Sequence, residues 1–139
     1  MRHHLVILHR PYLDLLLRGR KRVECRLSSV RRPPFEAVAP GDLLWLKPPS
    51  QALCAVATVG ECVFRTPRAP VDLVEIQQEY GRLISAAPGF FDEAARWARF
   101  CSLIWIKTIV SIQPMPVCKA DQRAWVVLRE APRPGMRVS

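Results

Sequence analysis

The chain lacks most of the short motifs by which enzymes are recognised. It has no glycine-rich phosphate loop, no Gly-x-Gly-x-x-Gly turn, no Gly-x-Ser-x-Gly nucleophile elbow and no His-Glu-x-x-His helix. These absences argue against a P-loop nucleotidase, a dinucleotide-dependent dehydrogenase, an α/β-hydrolase and a zinc protease of the common type. Any chemistry must therefore rest on individual side chains outside these motifs.

Residues that bind metals or form disulfides are also few. The three histidines, His3, His4 and His9, lie in one predicted strand region, where neighbouring side chains point to opposite faces. The five cysteines occur singly, without the Cys-x-x-Cys spacing of a zinc site. We therefore predict no metal, no cofactor and no disulfide framework, and we expect reduced, mostly buried thiols.

No apolar run reaches the roughly 20 residues that a membrane-spanning helix needs. The longest one, "SLIWIKTIVSI" at 102–112, has Lys107 in its middle. The apolar run near the amino terminus is only about four residues long, shorter than the core of a secretory signal. We expect no membrane partner and a cytoplasmic location.

Acidic residues are outnumbered by basic ones. The 139 residues include 12 Asp and Glu against 21 Lys and Arg, which gives a formal net charge of +9. Seven of these cations lie between Arg18 and Arg32, where Glu24 is the one acid. Such a local excess of positive charge attracts polyanions. The sequence therefore predicts a basic face and an anionic partner.

Apolar patterning predicts a chain of short strands interrupted by helices. The clearest pair is a helix that starts near Pro11 and ends at Gly19, followed by a strand in which Val23, Cys25 and Leu27 alternate with polar residues. Residues 20–22 are then an exposed turn. Other strands are predicted at 4–8, 43–47, 52–64 with a bulge at Gly60, 102–112 and 124–129, and other helices at 70–81 and 89–101.

This arrangement indicates an α+β fold. Five to six short strands around one core, with about three helices inserted, suit a small closed or nearly closed β-barrel. The chain is long enough for a single domain with its own core. We place that domain at 1–130 and a flexible tail, rich in proline and arginine, at 131–139.

Two residues of the basic segment suggest chemistry of their own. A lysine at a turn beside a carboxylate, here Lys21 and Glu24, is able to do acid–base work when burial and the neighbouring charge tune its protonation. The alternative is a surface ion pair that contributes well under ~1 kcal/mol. In that case the surrounding arginines only keep a strand edge soluble.

The segment "PYLDLLLRGRKRVECRL" resembles the signature of the ASCH domain family, which belongs to the PUA-like superfamily. That signature is a short helix ending in Gly-x-Lys and then a strand with Glu-x-Arg, and four residues match it: Gly19, Lys21, Glu24 and Arg26. The Pro-Gly-Asp turn of "VAPGDLLWLKPPS" agrees as well, and the similarity covers most of 4–128. The resemblance implies a small PUA-like β-barrel.

The family resemblance also implies a role with RNA. PUA-like barrels bind RNA or modified nucleotides in a cleft beside the helix that precedes the signature strand. The corresponding cleft here is the basic segment Gly19–Arg26. The residues expected to contact phosphate or stack on a base are Arg20, Lys21, Arg22, Arg26, Tyr12 and Trp45. Both aromatic residues also fit a role in the core, because aromatic side chains dominate buried area.

An enzymatic role is the alternative. Some small members of the family resemble amidohydrolases that remove the acetyl group from N4-acetylcytidine with a lysine, a threonine three residues later and a glutamate in the following helical segment. The equivalent residues here are Lys21, Glu24 in place of the threonine, and Glu79, with Glu75 as a second choice for the glutamate. A hydrolase, either an amidohydrolase or a ribonuclease, would use these residues. A module that binds an acidic protein is a third reading, which rests on charge alone.

Overall fold

The computed structural model describes residues 1–138, which form eight strands and three helices. In chain order these are β1 (His3–Ile7), α1 (Arg10–Leu17), β2 (Val23–Ser28), β3 (Leu43–Lys47), β4 (Leu53–Arg65), α2 (Pro70–Ile84), α3 (Phe90–Ala94), β5 (Phe100–Met115), β6 (Val117–Lys119), β7 (Trp125–Leu128) and β8 (Met136–Val138). The α+β class and the three helices are as predicted.

Six of the strands form one curled sheet in the order β2-β5-β4-β3-β1-β7. Only β1 and β3 pair in parallel; the other neighbours are antiparallel. The long strands β4 and β5 carry register shifts, one of them between Val59 and Cys62 on either side of Gly60, and such bulges bend a sheet. The sheet is therefore a half-barrel whose free edges are β2 and β7, and we call the gap between these two strands the seam. The predicted bulge at Gly60 is confirmed.

Alternating side chains of the sheet pack on its two sides. The interior of the half-barrel is filled by apolar side chains of α1 and the sheet, among them Leu13, Leu16, Leu44, Leu46 and Ile104. The outer side carries two further clusters. One lies beneath α2 and α3 and contains Val23, Cys25, Leu73, Ile76 and Leu103. The other lies beside β6 and β8 and contains Leu5, Leu53, Val126 and Val138.

The sequence predicted a helix at 89–101 and a flexible tail at 131–139 in the later part of the chain. The helix predicted for 89–101 is only the five residues of α3, and Trp97, which follows it, is exposed. The helix ends early because the chain from Phe100 onward pairs with β2 as strand β5. At the carboxyl terminus, β8 pairs with β6 and Val138 is buried. The flexibility of 131–139 stays a prediction, and Ser139 lies outside the described residues.

The structure also describes the state of the cysteines and the length of the helices. All five cysteines are unpaired; Cys25 and Cys101 are buried, whereas Cys118 is exposed. Among the helices of residues 1–138, none combines the length and apolar character needed to span a bilayer.

Candidate nucleic-acid interface

The turn between α1 and β2 directs Lys21 into the protein. Gly19 adopts φ 74°, a left-handed conformation that ends the helix at low steric cost. The N–H groups of Arg20 and Lys21 then both donate to the carbonyl oxygen of Leu15, at 2.9 and 3.1 Å. The turn is therefore tight. The prediction of an exposed turn at 20–22 is right for Arg20 and Arg22 but wrong for Lys21, which is only 3% exposed.

Lys21 is held by acceptors from two different elements. Its Nζ donates to the carbonyl oxygen of Ile84, the last residue of α2, at 2.6 Å. It also lies 3.3 Å from Oε1 of Glu24 and 5.9 Å from the centre of the Tyr12 ring. These two acceptors use two of the three ammonium hydrogens. Lys21 therefore ties α2 to the signature strand.

Glu24 lies between two cations. Oε1 is paired with Lys21 and accepts the N–H of Cys25 at 3.2 Å, while Oε2 accepts Nη2 of Arg26 at 3.0 Å. Burial alone raises the pKa of the Glu24 carboxyl, but the charges and hydrogen bonds of Arg26 and Lys21 outweigh burial and hold the pKa below its usual range. Glu24 is thus an ionised carboxylate whose low pKa makes it a weak base.

Arg26 extends the chain of ion pairs to the seam. Its Nη2 donates to Glu24 and also to the carbonyl oxygen of Ile7, at 2.9 Å. Its guanidinium group lies over the Trp125 ring, 5.4 Å from the centre. Within residues 1–138, Nε and Nη1 of Arg26 make no hydrogen bond. Arg26 is therefore fixed through one nitrogen and keeps free donors on the other two.

Two recesses lie on either side of Glu24. The first, which we call the Lys21 pocket, has a volume of about 90 Å³ and is lined by Tyr12, Lys21, Glu24, Cys25, Ile84 and Phe90, among others. The second, which we call the seam cleft, has a volume of about 370 Å³ and lies between β2 and β7. Its lining includes three arginines and three aromatic residues: Arg26, Arg32, Arg123, Phe35, Phe100 and Trp125.

Comparison with known proteins identifies the family. The model of the ASCH domain matches residues 6–82, more than half of the chain and the part that contains both the signature strand and the Pro-Gly-Asp turn. The chain belongs to the ASCH domain family. No curated protein sequence matches this ASCH domain at a significant level.

Solved structures agree with the fold. This ASCH domain is similar to the crystal structure of ASCH from Zymomonas mobilis, with a TM-score of 0.63 and 16% identity over 81% of this chain and 72% of that one. The serine-to-alanine variant of the Zymomonas mobilis protein gives a TM-score of 0.67 and 14% identity over 93% of this chain and 89% of that one. At such low identity the likeness shows the fold alone, which is the predicted PUA-like α+β architecture.

Three of the predicted site residues lie together in this ASCH domain, and two others lie elsewhere. Tyr12, Lys21 and Glu24 line one pocket. Glu79 is exposed on α2 and lines a different recess, because the buried face of that helix is formed by other residues. Trp45 packs on the outer side of the sheet, where its Nε1 donates to Nδ1 of a histidine at 3.1 Å, so it is not near either recess.

Glu75, the second choice for the helical glutamate, is also exposed. The helix α2 buries Leu73, Ile76 and Ile84 against the sheet, which leaves its glutamates on the other side. Neither glutamate is among the residues that line the Lys21 pocket. The three-residue set of the acetylcytidine amidohydrolases is therefore not assembled around Lys21 in this structure.

The sequence interpretation missed a buried hydrogen-bond chain that ends at the seam cleft. Nε1 of Trp125 donates to Nδ1 of His4 at 3.0 Å, and Nε2 of His4 donates to Oδ2 of Asp42 at 2.9 Å. Asp42 also accepts the backbone N–H groups of Arg2 and Ala39. Burial lowers the pKa of His4 more than Asp42 raises it, so His4 is neutral with its proton on Nε2. The Pro-Gly-Asp turn, which contains Asp42, was the sequence feature from which this hydrogen-bond chain could have been found.

The two adjacent histidines serve opposite faces of β1, as strand geometry requires. His3 accepts a hydrogen bond from Trp45 on the outer side, whereas His4 bonds to Trp125. Within residues 1–138, no group of three or more histidine, cysteine, aspartate or glutamate side chains is placed to hold a metal ion.

Proposed function

We propose that this ASCH domain binds RNA or a modified nucleotide through the basic cleft of Gly19–Arg26. The observation that carries the proposal is the buried chain of ion pairs Lys21–Glu24–Arg26. Two cations share one carboxylate, so the chain keeps a net positive charge inside the protein. One cation faces the Lys21 pocket and the other faces the seam cleft, which gives an anionic ligand two recessed contacts.

The neighbouring cations support the same function. Arg20 and Arg22 flank Lys21 in the turn and are exposed, and neither takes part in an ion pair within residues 1–138. Exposed arginines of this kind neutralise phosphates and release counterions, which makes binding depend on salt. Tyr12 lies beside Lys21 with its ring half-buried, where it is able to contact a base.

The electrostatics favour binding over acid–base catalysis. Lys21 donates to the carbonyl oxygen of Ile84 and lies 3.3 Å from Glu24, so its ammonium group is already engaged in two contacts within the protein. Glu24 in turn accepts hydrogen bonds from two cations and a backbone N–H, so proton uptake would disrupt the ion pairs. The arrangement is thus better suited to bind an anion than to transfer a proton.

A salt titration tests the proposal. Fluorescence anisotropy measures the affinity of a labelled single-stranded RNA of about eight nucleotides, a length within the site size of small binding domains. We expect the affinity to fall as salt rises, and the double variant R20A/R22A to lower the slope of log affinity against log salt by about two at most. R68A, which removes an exposed arginine outside both recesses, is the matched control. An affinity that does not vary with salt contradicts the proposal.

A second candidate is a hydrolase that acts on N4-acetylcytidine, a related nucleoside or RNA. It is favoured by one observation, the shared burial of Lys21 and Glu24 in a single pocket. Turnover of N4-acetylcytidine and of a labelled RNA by the wild-type protein is the test. Turnover that disappears in a folded K21A variant establishes catalysis, whereas no turnover by the wild type leaves binding as the function.

A further inference from the structure

The seam cleft has a composition that selects for anions. Its lining contains three arginines and, among the described residues, no aspartate or glutamate. We infer that the seam cleft binds a phosphate group of the ligand, so that the domain takes phosphorylated nucleotides in preference to nucleosides. The inference rests on the proposed function and adds a phosphate subsite separate from the Lys21 pocket.

The three arginines differ in the donors that they offer. Arg26 keeps Nε and Nη1 free at the floor of the cleft. Arg32 is exposed and has no ion-pair partner within residues 1–138. Arg123 is paired with Asp121 through Nε at 2.9 Å and Nη2 at 2.8 Å, so that its Nη1 remains available. Free guanidinium donors on three arginines match the several acceptor oxygens of a phosphate.

Uncharged donors lie beside the arginines. Ser102 of β5 is the direct cross-strand partner of Arg26, so the two side chains share one face of the sheet. Ser102 is buried and lines the cleft. Gln122 is exposed and lines the cleft near Arg123. These groups add neutral contacts to a site whose charge is already positive.

The size and walls of the cleft suit more than a bare ion. Its volume of about 370 Å³ falls within the usual range for small-molecule sites, about 300 to 1,000 Å³. Both walls, β2 and β7, are edge strands of the sheet. Edge strands present backbone N–H and C=O groups that are not paired within the sheet, and these groups are able to bond to a base or a sugar.

The floor of the cleft is fixed before any ligand binds. Arg26 is held by Glu24 and by the carbonyl oxygen of Ile7, and its guanidinium packs on Trp125. Trp125 is held in turn by His4. Because Arg26 and Trp125 are already ordered, a phosphate that contacts Arg26 does not pay to order that side chain.

The test compares cytidine with cytidine 5′-monophosphate as probes, together with the same labelled RNA. Calorimetry gives the affinities, and the Arg26 side-chain N–H resonance reports contact at the cleft. The variants are R32A, R123A and the double variant, all at exposed positions, and R68A is the control. Partly buried Arg26, which anchors the ion pairs, is left intact, so a folding defect does not confuse the result.

We expect the wild type to prefer the monophosphate to cytidine by on the order of tenfold, the effect of one charge-assisted hydrogen bond. The double variant should lose that preference, whereas R68A should keep it. If the double variant binds monophosphate and RNA like R68A does, the subsite is refuted and RNA binding elsewhere still stands. If the monophosphate shifts the Arg26 resonance but RNA does not bind, the RNA-binding part of the proposed function fails and the subsite stands.

Discussion

Replacing Glu24 by Gln is the perturbation that most sharply tests the buried ion pairs. The amide keeps the size of the side chain but removes the one negative charge between Lys21 and Arg26. Both cations are then left without a carboxylate, with side-chain exposures of 3% and 19%. Removing one partner of a buried pair costs about 3–5 kcal/mol. Because Arg26 retains some contact with solvent, we expect the lower end, about 3 kcal/mol.

Urea unfolding followed by circular dichroism measures this loss as a shift of the midpoint at constant slope. E79Q is the matched control, since Glu79 is an exposed carboxylate on α2 and such surface changes stay within about 0.5 kcal/mol. A loss of about 3 kcal/mol is a large part of the 5–15 kcal/mol that stabilises a typical domain, so partial unfolding of E24Q is also expected.

The pH dependence gives a second measure of the same interaction. The folded-state pKa of Glu24 lies below its ordinary value of 4.5, so its stabilisation is complete above pH 4.5 and is lost as the pH falls toward the folded-state pKa. The difference in unfolding free energy between the wild type and E24Q must therefore become smaller under acid conditions. If the two proteins differ by less than about 1 kcal/mol at neutral pH, the reasoning about a buried, functional ion pair is wrong.

Three further predictions concern the hydrogen-bond chain and the thiols. D42N should lower the unfolding free energy by about 1–3 kcal/mol, because both carboxylate oxygens accept hydrogen bonds and an amide has only one acceptor. If the Trp125 indole N–H resonance is unchanged in D42N, the hydrogen-bond chain from Asp42 through His4 to Trp125 is contradicted. Burial lowers the pKa of His4 below 6.5, so the free energy of unfolding of the wild type should fall as the pH falls from 6.5. In urea titrations over the same pH range, the H4Q variant should lose less unfolding free energy than the wild type. Equal losses in the two proteins would exclude His4 as the cause. In the native protein a disulfide reagent should modify exposed Cys118 first and buried Cys25 only after unfolding, and rapid modification of Cys25 would disprove its burial.

Much of the fold follows from local pattern and turn chemistry. Strand alternation located β2, the glycine at 60 located the bulge in β4, and Pro11 with Gly19 bounded α1. These features depend on backbone geometry that is written in neighbouring residues. The short α3 was harder to predict because the end of that helix is decided by the pairing of β5 with β2, which is a long-range interaction.

The burial of the candidate site residues could not be predicted from the sequence, for one physical reason. Alternation showed that Glu24 and Arg26 share a face of β2, but it does not say whether that face is covered. It is covered, because the half-barrel curls over it, and Lys21 is buried beneath the carboxyl end of α2. For the same reason the sequence did not show that Trp45 lies on the outer side of the sheet, since the direction of a strand side chain relative to the core depends on how the sheet curls.

A nuclear magnetic resonance titration with single-stranded RNA shows which surface of the domain binds the ligand. We predict shifts at the backbone amides of Gly19–Arg26 and at the side-chain N–H of Arg26, with smaller changes on the outer side of the sheet around Trp45. Shifts that are confined to the outer side, or the absence of any shift at RNA concentrations that saturate a weak site, would contradict the claim that this basic cleft binds RNA.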